Sequence, residues 1–216
     1  MTESELITAF NMPWRHSIEN NEPFKHATRP AAVLIAINPI EKNLNSNENF
    51  SKNESDAFEV LFTTRASHLK HHAGQVSFPG GKAEETDPDL AFTARREAHE
   101  EIGLSPEIVN IIGAMPNYRT ISGFSVTPVL GMLSQPIDVS SELILDMNEV
   151  DDAFSVPLPY LLNLDNYYIH NVKRGSHSYP IYFIRYQEKT IWGATAGMLV
   201  RLANHLSNNT PLISKI

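Results

Sequence analysis

Arg96-Glu97-Ala98-His99-Glu100-Glu101-Ile102-Gly103-Leu104 is the stretch whose reading decides the fold. At about 100° per residue, Glu97, Glu100 and Glu101 stand at i, i+3 and i+4, within one face of a helix. Ala91, Ala94, Ala98 and Ile102 form a neighbouring apolar stripe suited to packing on a sheet, so the carboxylates lie at the edge of the buried face. Three carboxylates this close repel one another unless a cation joins them. Oxygen-only ligation favours Mg2+ or Mn2+ over zinc. The competing account is a solvated glutamate-rich surface with Arg95 and Arg96 as casual partners.

The residues on either side favour the metal-site account. Upstream, Val76 to Phe78 leads into Pro79-Gly80-Gly81, a turn whose backbone can enter regions closed to residues with a Cβ. The helix that follows is expected to take Asp87 as its cap, Pro88 in its first turn and Gly103 as its stop. Further out, Ala31–Ile37 is an apolar run of strand length between prolines, and Phe58–Thr64 is a second strand, the two forming a long-looped hairpin. Strands are expected again at Val109–Ala114, Phe124–Leu133, Tyr167–Val172 and Pro180–Tyr186. Val150–Phe154 and Leu158–Leu162 read as short helical pieces, and Ala194–Leu206 as a final amphipathic helix. This order gives an α/β (α+β) protein, a mixed sheet sandwiched by helices without regular βαβ alternation. The expected division is an extension over 1–28, one domain over 29–206 with an exposed mobile loop over 38–56, and a tail over 207–216.

Composition narrows the classes. The chain has 216 residues, 42% hydrophobic and 19% charged, enough for one buried core. A net charge of −8 argues against a broad nucleic-acid-binding face. It does not exclude a small phosphorylated substrate, because bound cations can supply positive charge. Without cysteine, only Asp, Glu and His remain as metal ligands. The first eleven residues carry two glutamates, no Lys or Arg and no following apolar run, so neither a signal peptide nor a membrane span is expected. Cytoplasm is the default location, with monomer and homodimer both open.

Gly81 through Leu104 resembles the Nudix box: a glycine, a spacer with an acidic residue, then Arg-Glu-x-x-Glu-Glu-x-Gly-apolar, here Arg96, Glu97, Glu100, Glu101, Gly103 and Leu104. One departure is visible: Asp87 lies six residues after Gly81 but nine before Arg96, one more than the usual spacer. The resemblance implies an αβα sandwich with a mixed sheet, Mg2+ or Mn2+, and attack of water on a diphosphate. It also implies Glu97, Glu100 and Glu101 as metal ligands, with Arg96 orienting a glutamate. The stretch Leu61-Phe62-Thr63-Thr64-Arg65-Ala66, Lys70, Gly74 and Phe78-Pro79-Gly80-Gly81 resembles the signature of the coenzyme A pyrophosphatase branch. That signature prefers Leu at Phe62 and Arg at Lys70. Ser122-Gly123-Phe124, Val126-Thr127-Pro128 and Ile191-Trp192-Gly193-Ala194-Thr195-Ala196 resemble it too. What this implies is cleavage of coenzyme A or its derivatives to 3′,5′-ADP and 4′-phosphopantetheine. Arg65, Lys70, His71, Gly80 and Gly81 would then be the substrate-binding residues, the basic ones suited to the 3′-phosphate. The plainer account makes Arg65 a structural partner of a carboxylate.

Overall fold

The computed structural model describes residues 1–14, 28–40, 58–174 and 177–209. The expected mobile loop falls mostly outside them. At its start, the chain is still in the sheet: strand β1 (Arg29–Pro39) runs on through Asn38, which is buried. The Asn38 Nδ2 donates to Glu59 and to the Ile137 carbonyl, at 2.9 Å each, and its Oδ1 accepts from the Ile137 N–H at 3.0 Å.

β1 explains the sandwich. Its side chains alternate between two apolar clusters, Ala32, Leu34 and Ala36 on one face and Ile35 and Ile37 on the other. A strand buried on both faces needs an unbroken apolar run rather than alternation with polar residues, and this is what the sequence shows. Among the described residues the main sheet has eight strands, five of them in the order β3-β2-β1-β7-β5. These are β2 (Phe58–Arg65), β3 (Val76–Ser77), β5 (Val109–Ala114) and β7 (Phe124–Leu133), with β4 (Gly80–Lys82), β6 (Tyr118–Arg119) and β8 (Val150–Pro157) paired alongside. The β1–β7 pair is parallel and the others antiparallel, so the sheet is mixed. Helix α2 (Leu90–Ile102) lays Ala94, Ala98 and Ile102 on the first face. Helices α1 (Glu3–Phe10), α3 (Leu158–Leu162) and α4 (Ala194–Asn209) cover the second, with Leu6, Phe10, Leu161, Leu199 and Leu202 in its cluster. A smaller sheet, in the order β11-β10-β9, joins β9 (Tyr167–Arg174), β10 (His177–Tyr186) and β11 (Lys189–Trp192), which runs into α4.

Two local expectations are corrected. Val150–Phe154 is strand, not helix: β8 pairs with β2 from Glu59↔Pro157 to Arg65↔Val150. Its acidic pair, poor strand formers by composition, is used by tertiary contacts. Asp151 accepts from the Ser67 N–H at 2.8 Å, and Asp152 pairs with Lys189. Nor does Asp87 cap α2. The cap is Asp89, whose carboxylate accepts from the Phe92 N–H at 2.7 Å. Asp87 is free for another task. The expected stop holds, since Gly103 takes φ +69° and its N–H reaches the His99 carbonyl at 2.9 Å.

Candidate active site

The turn before α2 is built for close approach. Gly80 has φ +151°, and β4 lies antiparallel on β1 through Val33↔Gly80 and Ala32↔Gly81. A Cβ at Gly80 would meet the Val33 Cα at 2.6 Å, and one at Gly81 would meet the Glu97 carboxyl carbon at 2.6 Å. The paired glycines therefore let the start of the sheet edge lie against the carboxylates of α2.

Against that turn stand Glu97 and Glu101, one helical turn apart. The Gly80 N–H donates to Glu101 at 3.1 Å. Glu101 is nearly buried, its side chain only 4% exposed, and the Arg65 guanidinium stands 4.0 Å from its other oxygen. Arg65 is aimed by a register shift in the β2–β8 ladder at Thr64/Arg65. Burial drives the Glu101 carboxyl up to about 8, against the pull of the Gly80 N–H and Arg65 and with the push of Glu97 and Glu149. Burial likewise raises Glu97, against the pull of Arg96. Two desolvated carboxylates held together on oxygen-only chemistry fit a divalent cation, which would relieve the cost that raises both.

Arg96 is the hub of the neighbouring ion network. Its Nε and Nη2 donate to the two oxygens of Asp87 at 3.0 Å each. It also reaches Glu97 at 3.1 Å and Glu100 at 2.8 Å. Asp87 accepts further from the Glu84 N–H at 3.0 Å and the Thr93 hydroxyl at 2.8 Å. The Arg96 fork, first among these, holds the Asp87 carboxyl far below the ordinary carboxylate range. Arg96 is in turn held charged by Asp87 above all. The extra spacer residue therefore leaves the acidic group in service: Asp87 fixes the arginine that fixes Glu97.

The structure brings Glu97, Glu101, Gly80, Gly81, Arg96 and Arg65 together. Glu100 is turned outward to Arg96, its side chain 55% exposed. Among the described residues, no three acidic or histidine side chains form a ready metal cluster. Lys70 and His71 are exposed on the loop after β2, which is closed by Arg65 N–H to Gln75 and Gly74 N–H to Arg65, both 3.0 Å.

Glu149 is a residue that local sequence reading missed. Its charge acts on both Glu97 and Glu101. Its backbone is pinned from two sides. The Asp146 N–H donates to the carbonyl of Glu101 itself, and the Glu149 N–H donates to Asp146, both at 2.9 Å. On the other side Ala66 donates to the Glu149 carbonyl, also at 2.9 Å. A single acidic residue ahead of a strand carries no local signal; only the pairing of β8 with β2 reveals it.

The glycine turn, the carboxylates of α2 and the Arg96 network stand together at one edge of the main sheet. The model of the NUDIX domain matches residues 50–173, more than half of the chain, and the chain belongs to the Nudix family. The match begins beyond β1, although β1 lies between β2 and β7 at the centre of the sheet. Among curated proteins, the chain is 36% identical over 184 residues to "Uncharacterized Nudix hydrolase NudL" of Shigella flexneri serotype 5b, covering 85% of each chain. It is 40% identical over 144 residues to the protein of the same name from Enterobacter sp. strain 638, covering 67% of this chain and 73% of that one. A solved Nudix hydrolase from M. smegmatis, RenU, is similar at 20% identity and a TM-score of 0.45, over 61% of this chain and 71% of that one. This is a Nudix hydrolase, whose family chemistry is hydrolysis of diphosphate linkages.

Proposed function

We propose that this chain hydrolyses the diphosphate of coenzyme A or its derivatives, giving 3′,5′-ADP and 4′-phosphopantetheine, with Mg2+ or Mn2+ held at Glu97 and Glu101. The observation that carries the reading is the meeting of Arg65 and Glu101. It joins the upstream stretch resembling the coenzyme A branch to the box that resembles the family's metal site. A divalent cation bound there supplies charge neutralisation for the diphosphate and acidifies water.

The chain's own residues do the rest. Gly80 orients Glu101, and Arg96, locked by Asp87, orients Glu97. Glu100 is the third ligand candidate, able to swing inward from an exposed face at little cost. Glu149, whose charge acts on both Glu97 and Glu101, is assigned to hold the attacking water and accept its proton. Arg65, Lys70 and His71 bring positive or protonatable groups to one side of the site, suited to a phosphate beyond the one that is cleaved.

Chromatography of products after incubation with coenzyme A and Mg2+ tests the reading. Expected are 3′,5′-ADP and 4′-phosphopantetheine in equal amounts, and none when the cation is chelated. Turnover of ADP-ribose or NADH without turnover of coenzyme A would replace the substrate assignment and leave the hydrolase intact.

A further inference from the structure

Helix α2 ends on carbonyls that its own turns cannot satisfy. Two of them are taken by a segment far downstream. The Asp146 N–H donates to the Glu101 carbonyl at 2.9 Å, and the Ile144 N–H to the Ile102 carbonyl at 3.1 Å. The segment can lie this close because Gly103 has no side chain: a Cβ there would stand 3.1 Å from both the N and the O of Ile144. Leu143, Leu145 and Val150 pack with the apolar cluster that α2 covers, which fixes the stretch they flank to the helix.

Asp146 is bonded there through backbone and side chain alike. Its N–H reaches Glu101, and its carbonyl accepts from the Glu149 and Val150 N–H groups, both at 2.9 Å. Its carboxylate closes the turn between these contacts. The Oδ1 accepts from the Asn148 N–H at 2.9 Å and from the Asn148 Nδ2 at 2.8 Å. Glu149 is held on its far side as well, where its carbonyl accepts from the N–H of Ala66, the residue after Arg65, at 2.9 Å. A run of hydrogen bonds therefore leads from Glu101 through Asp146 to Glu149 and on to the end of β2. The Glu149 side chain is exposed, so what the turn fixes is the backbone from which that carboxylate reaches out.

We propose that Asp146 is a positioning residue for the hydrolysis: it sets the separation of Glu101 and Glu149, and so where Glu149 presents the attacking water. This rests on the reading of Glu149 given above as the carboxylate that holds that water. A displacement of about 1 Å in a catalytic group can cost roughly a hundredfold in rate. One surface turn, by contrast, adds little to the stability of the whole chain, so its loss shows in rate more than in melting. An Asp146 with a structural role alone would lower rate and stability together, whatever stands at position 149.

Steady-state kinetics and melting of full-chain variants test this, on whichever of coenzyme A, ADP-ribose and NADH the wild type cleaves with Mg2+. The choice of substrate and the role of Asp146 are thus decided separately. Asp146→Ala should lower kcat about tenfold with KM within about twofold, and melting should fall by no more than about 3 °C. Asp146→Asn, which keeps the accepting Oδ1, should recover most of the rate. On a Glu149→Gln background, itself slow, Asp146→Ala should cost less than about twofold more, because the group it positions is already gone. If Asp146→Ala does not fold, Asn148→Ala, which removes only the Nδ2 contact to the same carboxylate, carries the same comparison. Asp146→Ala at the wild-type kcat overturns the proposal and leaves the Glu149 assignment standing. A full tenfold loss on the Glu149→Gln background overturns it too. Glu149→Gln at the wild-type rate removes the Glu149 assignment itself, and the proposal falls with it.

Discussion

At the residue scale, Glu101 carries the sharpest prediction. Its carboxyl is pushed up to about 8 from an ordinary value of 4.5. Between these two values the folded, cation-free protein holds a proton that the unfolded chain has released. Stability from this group is therefore complete below the ordinary value and is lost as pH rises toward 8. Across the whole window the loss is on the order of 5 kcal/mol, which in a chain this size lowers the melting temperature by roughly 10–20 °C. Melting curves in EDTA at successive pH values should show this fall for the wild type and much less of it for Glu101→Gln. Saturating Mg2+ should flatten the wild-type slope. A wild type and Glu101→Gln with parallel pH profiles would remove the raised carboxyl from the account.

The same scale separates three carboxylates by task. Glu101→Gln removes the charge proposed to hold the cation at constant volume and should cost roughly a thousandfold in kcat with the fold kept. Glu149→Gln acts on an exposed side chain, so kcat should drop about a hundredfold with melting nearly unchanged. Asp87→Asn leaves the Arg96 fork with a weakened partner, and through it Glu97. Steady-state kinetics should show kcat reduced by about ten- to a hundredfold, with a measurable loss of stability as well. Equal, small effects at all three positions would count against any division of roles.

At the scale of elements, α2 and its glycine turn work as one unit. Gly81→Ala tests this, because its methyl would run into the Glu97 carboxyl group while Gly81 has ordinary backbone geometry. The expected outcome is near-complete loss of turnover at a cost of only about 1–3 kcal/mol in stability, read by activity and melting together. This unit was legible in the sequence, since helix periodicity, the glycine stop and the box spacing are all local. β1 and β7 were legible for a related reason: adjacent strands buried on both faces at the sheet centre announce themselves as apolar runs. β8 was not, because Asp151 and Asp152 argue against a strand until Ser67 and Lys189 are placed beside them. The Asp87 cap was misread because Asp89, two residues on, satisfies the same rule, and only the position of Arg96 shows which aspartate is needed elsewhere. Glu149 was invisible for the same cause as β8, since it reaches the site through the long-range β2–β8 ladder.

At the scale of the whole molecule, charge sets the question of substrate choice. The chain carries a net charge of −8, so an anionic substrate is repelled everywhere except where a cation or a basic cluster offsets it. Coenzyme A, ADP-ribose and NADH share an adenosine diphosphate, and under the proposed function Glu97, Glu101 and the cation they would hold treat that shared centre alike. Preference has to come from what differs, the 3′-phosphate and the pantetheine arm. Arg65 stands beside Glu101 and heads the exposed loop that carries Lys70 and His71, so the basic groups reach outward from the reacting centre rather than into it. One charge-assisted contact to the added phosphate contributes roughly 1.5–3 kcal/mol, enough for a factor of ten or more in kcat/KM. Coenzyme A should therefore exceed ADP-ribose and NADH at least about tenfold, and dephospho-coenzyme A, which lacks only that phosphate, should fall by a similar factor. Lys70→Ala should narrow the gap between coenzyme A and its dephospho form while leaving the latter's rate unchanged, a pattern that a merely structural lysine would not produce. Raised salt should narrow it too, because an exposed cluster is screened. If dephospho-coenzyme A reacts as well as coenzyme A, the loop is not a phosphate reader, and specificity has to be sought in the pantetheine arm.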